Sequence, residues 1–397
     1  MSWPQVAISD FCRTGSGGTP SRKIPEFYDG DIPWIKSGDL REKIVEEASE
    51  FITKLGVEKS SAKLVPKGAV LLAMYGATVG RMAMLGIDAA TNQAVCSIVP
   101  DEKVAFPKYV YYALRSKVPD FLRNAVGGAQ PNISQGLIKD TKIPLPPLSE
   151  QKRIAAILDK ADAIRRKRQQ AIQLADEFLR SVFLDMFGDP VTNPKGWDVR
   201  PLATGIESII SGWSAKGESY PCADNGLGVL KISSVTSGKF IPQENKFVHQ
   251  DDIPEGKRLV FPKRGDLLFS RANTRELVAA TCIVLENQNN VFLPDKLWKV
   301  ETDKNIMLPE FLNYLIWEPR FKERLTSQAT GTSGSMLNIS KGKFEATNAI
   351  FPDLESQEKF SSIFWKMQRL TEELDLSKVG FDESFSSLSQ RAFAGRL

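Results

Sequence analysis

The chain repeats after 206 residues, a shift that carries Gln151 onto Gln357. The first copy holds Pro144-Leu-Pro-Pro-Leu-Ser-Glu-Gln151 and leads into a long helical pattern that stops at Phe187-Gly-Asp-Pro190. The second holds Phe351-Pro-Asp-Leu-Glu-Ser-Gln357 and leads into another, which runs to Phe393-Ala-Gly-Arg-Leu397. More blocks match with small drifts in register. Trp3 and Ile8 fall on Trp197 and Leu202, Ile35-Lys36 on Leu230-Lys231, and Val70-Leu71-Leu72 on Leu267-Leu268-Phe269. Tyr109 and Tyr112 fall on Phe311 and Tyr314, and Asn132-Ile-Ser134 on Asn338-Ile-Ser340. Solenoid units are roughly 20–50 residues; this period is a globular domain plus a helix. Such a duplication predicts a pseudo-twofold molecule suited to a target in two halves. The matched blocks are scaffold, and the divergent stretches between them are the place for specificity.

The 397 residues hold two ordinary domains with sizeable cores. The repeat divides them into a first domain over 1–148, a long helix over 149–187, a second domain over 188–354 and a last long helix over 355–397. Each domain mixes strands and helices, which makes the fold α+β. Ala69–Met74, Ala94–Val99, Asp266–Ser270 and Cys282–Leu285 read as strands, and Pro107–Arg115 and Pro309–Ile316 as helices with proline in the first turn.

Ser149 reads as the N-cap of the first long helix, with Glu150 facing the positive end of its dipole. Ile154, Ile157, Leu158, Ala161, Ile164, Ile172, Ala175, Phe178, Leu179, Val182 and Met186 form one apolar seam, and Gly188 and Pro190 end the helix. A seam that long needs a partner, and its own duplicate, from Phe360 to Phe393, is the obvious one. Gly380 weakens that second copy and is expected to kink or fray it.

Catalytic signatures are missing. One histidine, His249, excludes multi-histidine metal sites and duplicated Ser-His-Asp triads, and its neighbours Gln250, Asp251 and Asp252 mark it as surface. There is no GxxxxGK[ST] loop. No Asn- or Asp-Pro-Pro-aromatic motif suggests amino methylation, and Pro294-Asp295 lacks the downstream Glu-x-Lys of a metal nuclease. The Gly15-Ser-Gly-Gly18 cluster reads as a flexible loop. Four cysteines without CxxC spacing are expected as free thiols in a reducing cytoplasm. No run of about 18 apolar residues suggests a membrane span, and the start shows no secretory signal. The net charge of +4 is too small to argue for or against nucleic acid.

The divergent loops do carry residues suited to DNA. In the first half these are Thr19, Ser21, Arg22, Lys23, Lys36, Tyr75, Arg81, Asn92, Gln93, Gln130 and Asn132; in the second they are Lys231, Arg271, Asn273, Arg275, Thr332 and Ser333. Amides pair with adenine edges, while cations and backbone N–H groups hold phosphates. On the first long helix, Arg165, Arg166, Phe178 and Phe183 are candidates for docking a partner protein. On residues alone, two rivals stay open. One is an enzyme with an unrecognised site, and the other is an adaptor that binds proteins on its helices and ignores DNA.

Taken together, the chain resembles the specificity (S) subunit of type I restriction-modification enzymes. The resemblance is carried by Gly18-Thr-Pro-Ser21, Ile32-Pro-Trp-Ile-Lys36, Asn132-Ile-Ser134, the block from Pro144 to Ile154, and the ending Gln390-Arg-Ala-Phe-Ala-Gly-Arg-Leu397. It implies two target-recognition domains that each read half of a split, asymmetric DNA sequence. It implies two long helices packed as an antiparallel coiled coil, serving as spacer and as dock for methyltransferase (M) subunits. A restriction (R) subunit joins the same assembly. S-adenosylmethionine, ATP and magnesium are expected on the partner subunits, with no cofactor or catalysis in this chain. Ser211-Gly-Trp-Ser-Ala stands where the family has its Gly-Gly-Thr-Pro-Ser loop, so loop-by-loop transfer into the second half is not assumed.

Overall fold

Apolar tetrads bounded by glycine and proline become the central strands of both halves. In the computed structural model, Val70–Ala73 is buried along its whole length and lies antiparallel between Val95–Pro100 and Met82–Leu85. Cys12–Ser16 and Ile44–Val45 complete a five-stranded sheet. Alternation along a strand sends neighbours to opposite faces. Val70 and Leu72 accordingly enter a core with Tyr109, Leu114 and Ile133, while Leu71 and Ala73 enter another with Ile35, Leu85 and Ala89. The sheet is thus covered by helix on one face and, on the other, by a four-stranded sheet of Glu50–Ile52, Tyr28–Ile35, Ala89–Thr91 and Leu64–Val65. The structure describes residues 3–41, 43–123, 132–223, 226–331 and 336–396, with the helical backbone alone over 375–386.

The second half rebuilds this plan. Leu267–Ser270 lies between Leu297–Thr302 and Thr281–Ile283, with Ile206–Ser211 outermost. Leu267 and Phe269 face the helix-side core, and Leu268 faces Leu230, Val291 and Leu293. The helices start where proline predicts, at Pro107–Arg123 and Pro309–Trp317.

Both long helices have 40 residues, Leu148–Phe187 and Leu354–Phe393, about 60 Å each at 1.5 Å per residue. Two expectations are corrected. Ser149 lies inside the first turn rather than capping it, because Leu148 is already helical. The second helix runs unbroken through Gly380. Gly188, at φ +75°, ends the first.

Contacts divide the chain into unit 1, residues 1–169 with 375–397, and unit 2, residues 170–374. Each unit therefore holds one domain and a piece of each long helix. In unit 1, Ile154, Ala155 and Leu158 share a core with Leu388, Ala392 and Phe393. In unit 2, Phe183 and Phe187 pack edge-on to Phe360, with ring centroids 5.5 and 5.7 Å away. Within each unit the start of one helix lies with the end of the other, an antiparallel arrangement. The predicted seam is only partly covered, since Ile164 and Phe178 remain 43% and 49% exposed.

The repeat extends to individual hydrogen bonds. Gln151 is fully buried; its Oε1 accepts from Phe106 N at 2.8 Å, and its Nε2 donates to Val104 O and Pro146 O. Gln357 does the same with Leu308 N at 2.9 Å, Ile306 O and Pro352 O. Ser134 and Ser340 both cap the short helix that follows them. Ile8 N donates to Thr141 O, and Leu202 N to Thr347 O. Among the described residues, no helix is long and apolar enough to cross a membrane, and no cluster of three or more His, Cys, Asp or Glu could hold a metal.

Candidate nucleic-acid interface

Three turns converge at the same edge of each half. In unit 1 the first is Gly17-Gly18, which follows the strand Cys12–Ser16; Gly18 N donates to Thr91 O at 2.9 Å. The second follows Ala89–Thr91, where Asn92 N donates to Ile35 O. The third follows Val70–Ala73, where Met74 N donates to Ala94 O and Ile133 N to Met74 O. Unit 2 matches it: Trp213 N donates to Leu293 O, Arg271 N to Lys296 O, and Ile339 N to Arg271 O. A Cβ on Gly17 would lie 2.0 Å from Thr91 O, and one on Gly212 would lie 1.8 Å from Leu293 O. Gly212 therefore fills the role of Gly17, although the residues around it differ. The flexible loop expected at Gly15–Gly18 is corrected as well: Gly15 is in the strand, and Gly17 and Gly18 are buried against backbone.

This edge gathers most of the predicted residues of unit 1. Trp34 Nε1 donates to Gly18 O at 3.0 Å and Tyr28 OH to Pro20 O at 2.5 Å, which pins the Thr19–Lys23 segment. Arg22 rests over the Tyr28 ring at 4.4 Å and the Trp34 ring at 5.5 Å. Arg22 and Lys36 meet on one carboxylate, Glu50, at 2.5 and 2.6 Å. The hydrogen bond from Lys36, helped by that from Arg22, holds Glu50 below the usual carboxylate range despite the opposing effect of burial. Thr19, Ser21, Lys23, Gln93 and Asn132 are exposed, while Tyr75 is half-buried. Asn92 is half-buried with its Oδ1 enclosed, which leaves Gln93 as the open amide of that turn. Gln130 lies outside the described residues.

Unit 2 keeps the plan and changes the side chains. Lys231 faces Glu244 at 3.7 Å, the counterpart of Lys36 and Glu50. Arg271 donates through Nε to Asp295 O at 2.9 Å and pairs with its carboxylate at 3.3 Å, and Ser214 Oγ donates to the same carboxylate. Asn273 sits opposite Leu337 in a short antiparallel pairing, and Arg275 is exposed. Thr332 and Ser333 lie outside the described residues. Sequence reasoning missed the acids Glu50, Glu244 and Asp295 and the aromatic shelf of Tyr28 and Trp34. Glu50 is 28 residues from Arg22, and Asp295 is 24 from Arg271, so no local pattern joins them.

Arg81 lies apart from this edge, in a cleft that also takes in Arg165 and Arg166. Of the partner-docking candidates, Phe183 is corrected: it is fully buried among Phe187, Phe311, Tyr314 and Phe360 and has no surface to offer. Phe178 is half exposed. Arg165 and Arg166 are tied to Asp162 of their own helix, at 3.1 and 3.0 Å.

The α+β plan is thus built twice, with two homologous but chemically different polar edges. Residues 2–174 match the family model of the type I restriction modification DNA specificity domain. The MjaIX specificity subunit of Methanocaldococcus jannaschii is 27% identical over 67% of this chain and 67% of its own length. The EcoKI specificity subunit of Escherichia coli K12 is 22% identical over 94% of this chain and 84% of its own. The crystal structure of a type I S subunit from M. genitalium matches in fold with a TM-score of 0.59, at 14% identity over 99% of this chain and 96% of that one. A chain from a structure on complex assembly and conformational transition of the type I R-M system gives 0.53, at 18% identity over 100% and 98%.

Proposed function

We propose that this chain is the DNA-recognition subunit of a type I restriction-modification complex, with each unit's edge reading one half of a bipartite, asymmetric target. One observation carries the reading. The same edge is built twice on equivalent backbone hydrogen bonds, with Arg22, Lys36 and Gln93 in one copy and Lys231, Arg271 and Asn273 in the other. Equivalent scaffolds with different polar side chains suit two different half-sites read by direct contact. In this reading the long helices set the gap between half-sites and dock methyltransferase subunits, with Phe178 on the docking face, and a restriction subunit joins them. S-adenosylmethionine, ATP and magnesium belong to those partners, and this chain is non-catalytic.

Exchange of residues 188–354 for the matching segment of another specificity subunit tests the split. Bound duplexes selected from a randomised pool, in the presence of the methyltransferase subunits, should change in one half of the target and keep the other. A change in both halves, or in neither, would refute the two-surface reading.

A further inference from the structure

We infer that unit 1 carries a second DNA-contacting site, a cleft that grips the phosphate backbone without reading bases. It is lined by Arg41, Lys43, Arg81, Arg115, Arg165 and Arg166 around Tyr111, and encloses about 650 Å³. The inference rests on the DNA-recognition reading above and reassigns Arg165 and Arg166 from partner docking to DNA.

The cleft is built on a buried anion. The Asp162 side chain is 1% exposed and is held by Arg115, Arg165 and Arg166 at 3.0, 3.1 and 3.0 Å. One carboxylate thus fixes three guanidinium groups before any ligand arrives, which removes much of the ordering cost of binding. Asp159 anchors Lys43 in the same way. Arg41 and Arg81 are exposed, and neither forms an ion pair with a described residue; Arg41 Nε donates to Gly38 O at 3.2 Å. Among the described residues, six lining cations against the two carboxylates that hold them leave the cleft positive. Five of the six are arginine, whose planar fork matches phosphate oxygens in pairs.

Its position selects the occupant. Lys36, at the recognition edge, is followed by a turn at Ser37–Asp39 that delivers Arg41 to the cleft. Tyr75, also at that edge, is followed by a turn at Gly76–Thr78 that delivers Arg81. Two chain segments therefore begin at the reading surface and end in the cleft. A polyanion lying on the edge continues into it, and the backbone of the strand flanking the half-site is that polyanion.

The test is Arg41→Gln with Arg81→Gln in the full chain, with Arg165→Gln as a separate variant. Binding of a random duplex and of the selected target is measured across a salt series, and thermal unfolding confirms that each variant folds. Each phosphate contact contributes about 0.9 to the slope of log affinity against log salt. The double variant should flatten the slope by about 1.8 and Arg165→Gln by about 0.9, with both duplexes weakened by the same factor. Unchanged slopes in the variants, with a wild type that binds DNA, overturn the cleft alone. A wild type that binds no duplex, with or without its methyltransferase partner, overturns the recognition reading beneath it. Lost preference for the target would make these residues base readers, and lost co-purification with a methyltransferase subunit at unchanged slope would make the cleft a protein dock. Either result overturns the inference.

Discussion

Gln151 and Gln357 were visible in the sequence as the marks that set the repeat, but their purpose appears only in three dimensions. Each fills a buried slot where one backbone N–H and two carbonyls have no other described partner. An unsatisfied buried polar group costs about 1–3 kcal/mol. Gln151→Leu keeps the bulk, removes all three bonds, and should destabilise unit 1 by about 3 kcal/mol or more. Urea unfolding measures it, and a loss below about 0.5 kcal/mol would mean that water replaces the amide at no cost. The acids at the polar edges show the opposite case. Arg22 and Arg271 could be picked out as loop cations, yet the carboxylates that hold them come from remote segments brought close by sheet pairing. Charge partners across strands leave no trace in local sequence.

At the level of elements, periodicity was a good guide where burial is complete. The strands at Val70–Ala73 and Leu267–Ser270 and the helices at Pro107 and Pro309 follow directly from apolar runs and proline. The helix start at Leu148 does not, because a residue's side chain alone cannot say whether the turn before it is already wound. The seat of unit 1's domain on its long helix was also hidden. The helix Pro107–Arg123 meets the long helix through Lys108–Asp159 at 2.8 Å and Arg115–Asp162 at 3.0 Å, a charged joint. In unit 2 the matching joint is Trp365 Nε1 donating to Glu310 at 2.6 Å. Burial alone would raise the Asp162 carboxyl, but Arg115, with Arg166 and Arg165, more than offsets it and holds the group below the usual aspartate range. An unfolded aspartate titrates near 3.9. The folded value is lower, so the joint stabilises unit 1 above that pH and its contribution is lost as pH falls through the folded value. Asp162→Asn should lower stability at neutral pH by somewhat less than the ~3–5 kcal/mol of a fully buried pair, since the guanidinium groups stay partly exposed. It should also blunt the acid sensitivity of unit 1. Asp159 is held low too, so some sensitivity remains. Unfolding midpoints compared between pH 3 and 7 decide it, and parallel pH curves for variant and wild type would count against the joint.

For the whole molecule, duplication was the most legible property, because a repeat of domain size needs no knowledge of contacts to be seen. What it could not supply is how each half departs from the other, since divergent loops carry no counterpart to align. The proposal gives the two 40-residue helices a length role, and that role can be tested without touching either reading edge. One heptad adds about 10 Å to a helix, at 1.5 Å per residue, and nearly restores the facing of the apolar seam, which an insertion of one or two residues would rotate away. Matched heptads inserted after Ala171 and near Leu374 lengthen both strands of the pair together. Base pairs stack at about 3.4 Å, so the gap between half-sites in selected duplexes should grow by up to roughly three base pairs, while the half-site sequences stay the same. Insertion in one helix alone should give a smaller change, because the extra turn can loop out against an unlengthened partner. An unchanged gap in a doubly extended protein that unfolds cooperatively and still binds its half-sites would mean that the helices hold the chain together without measuring DNA.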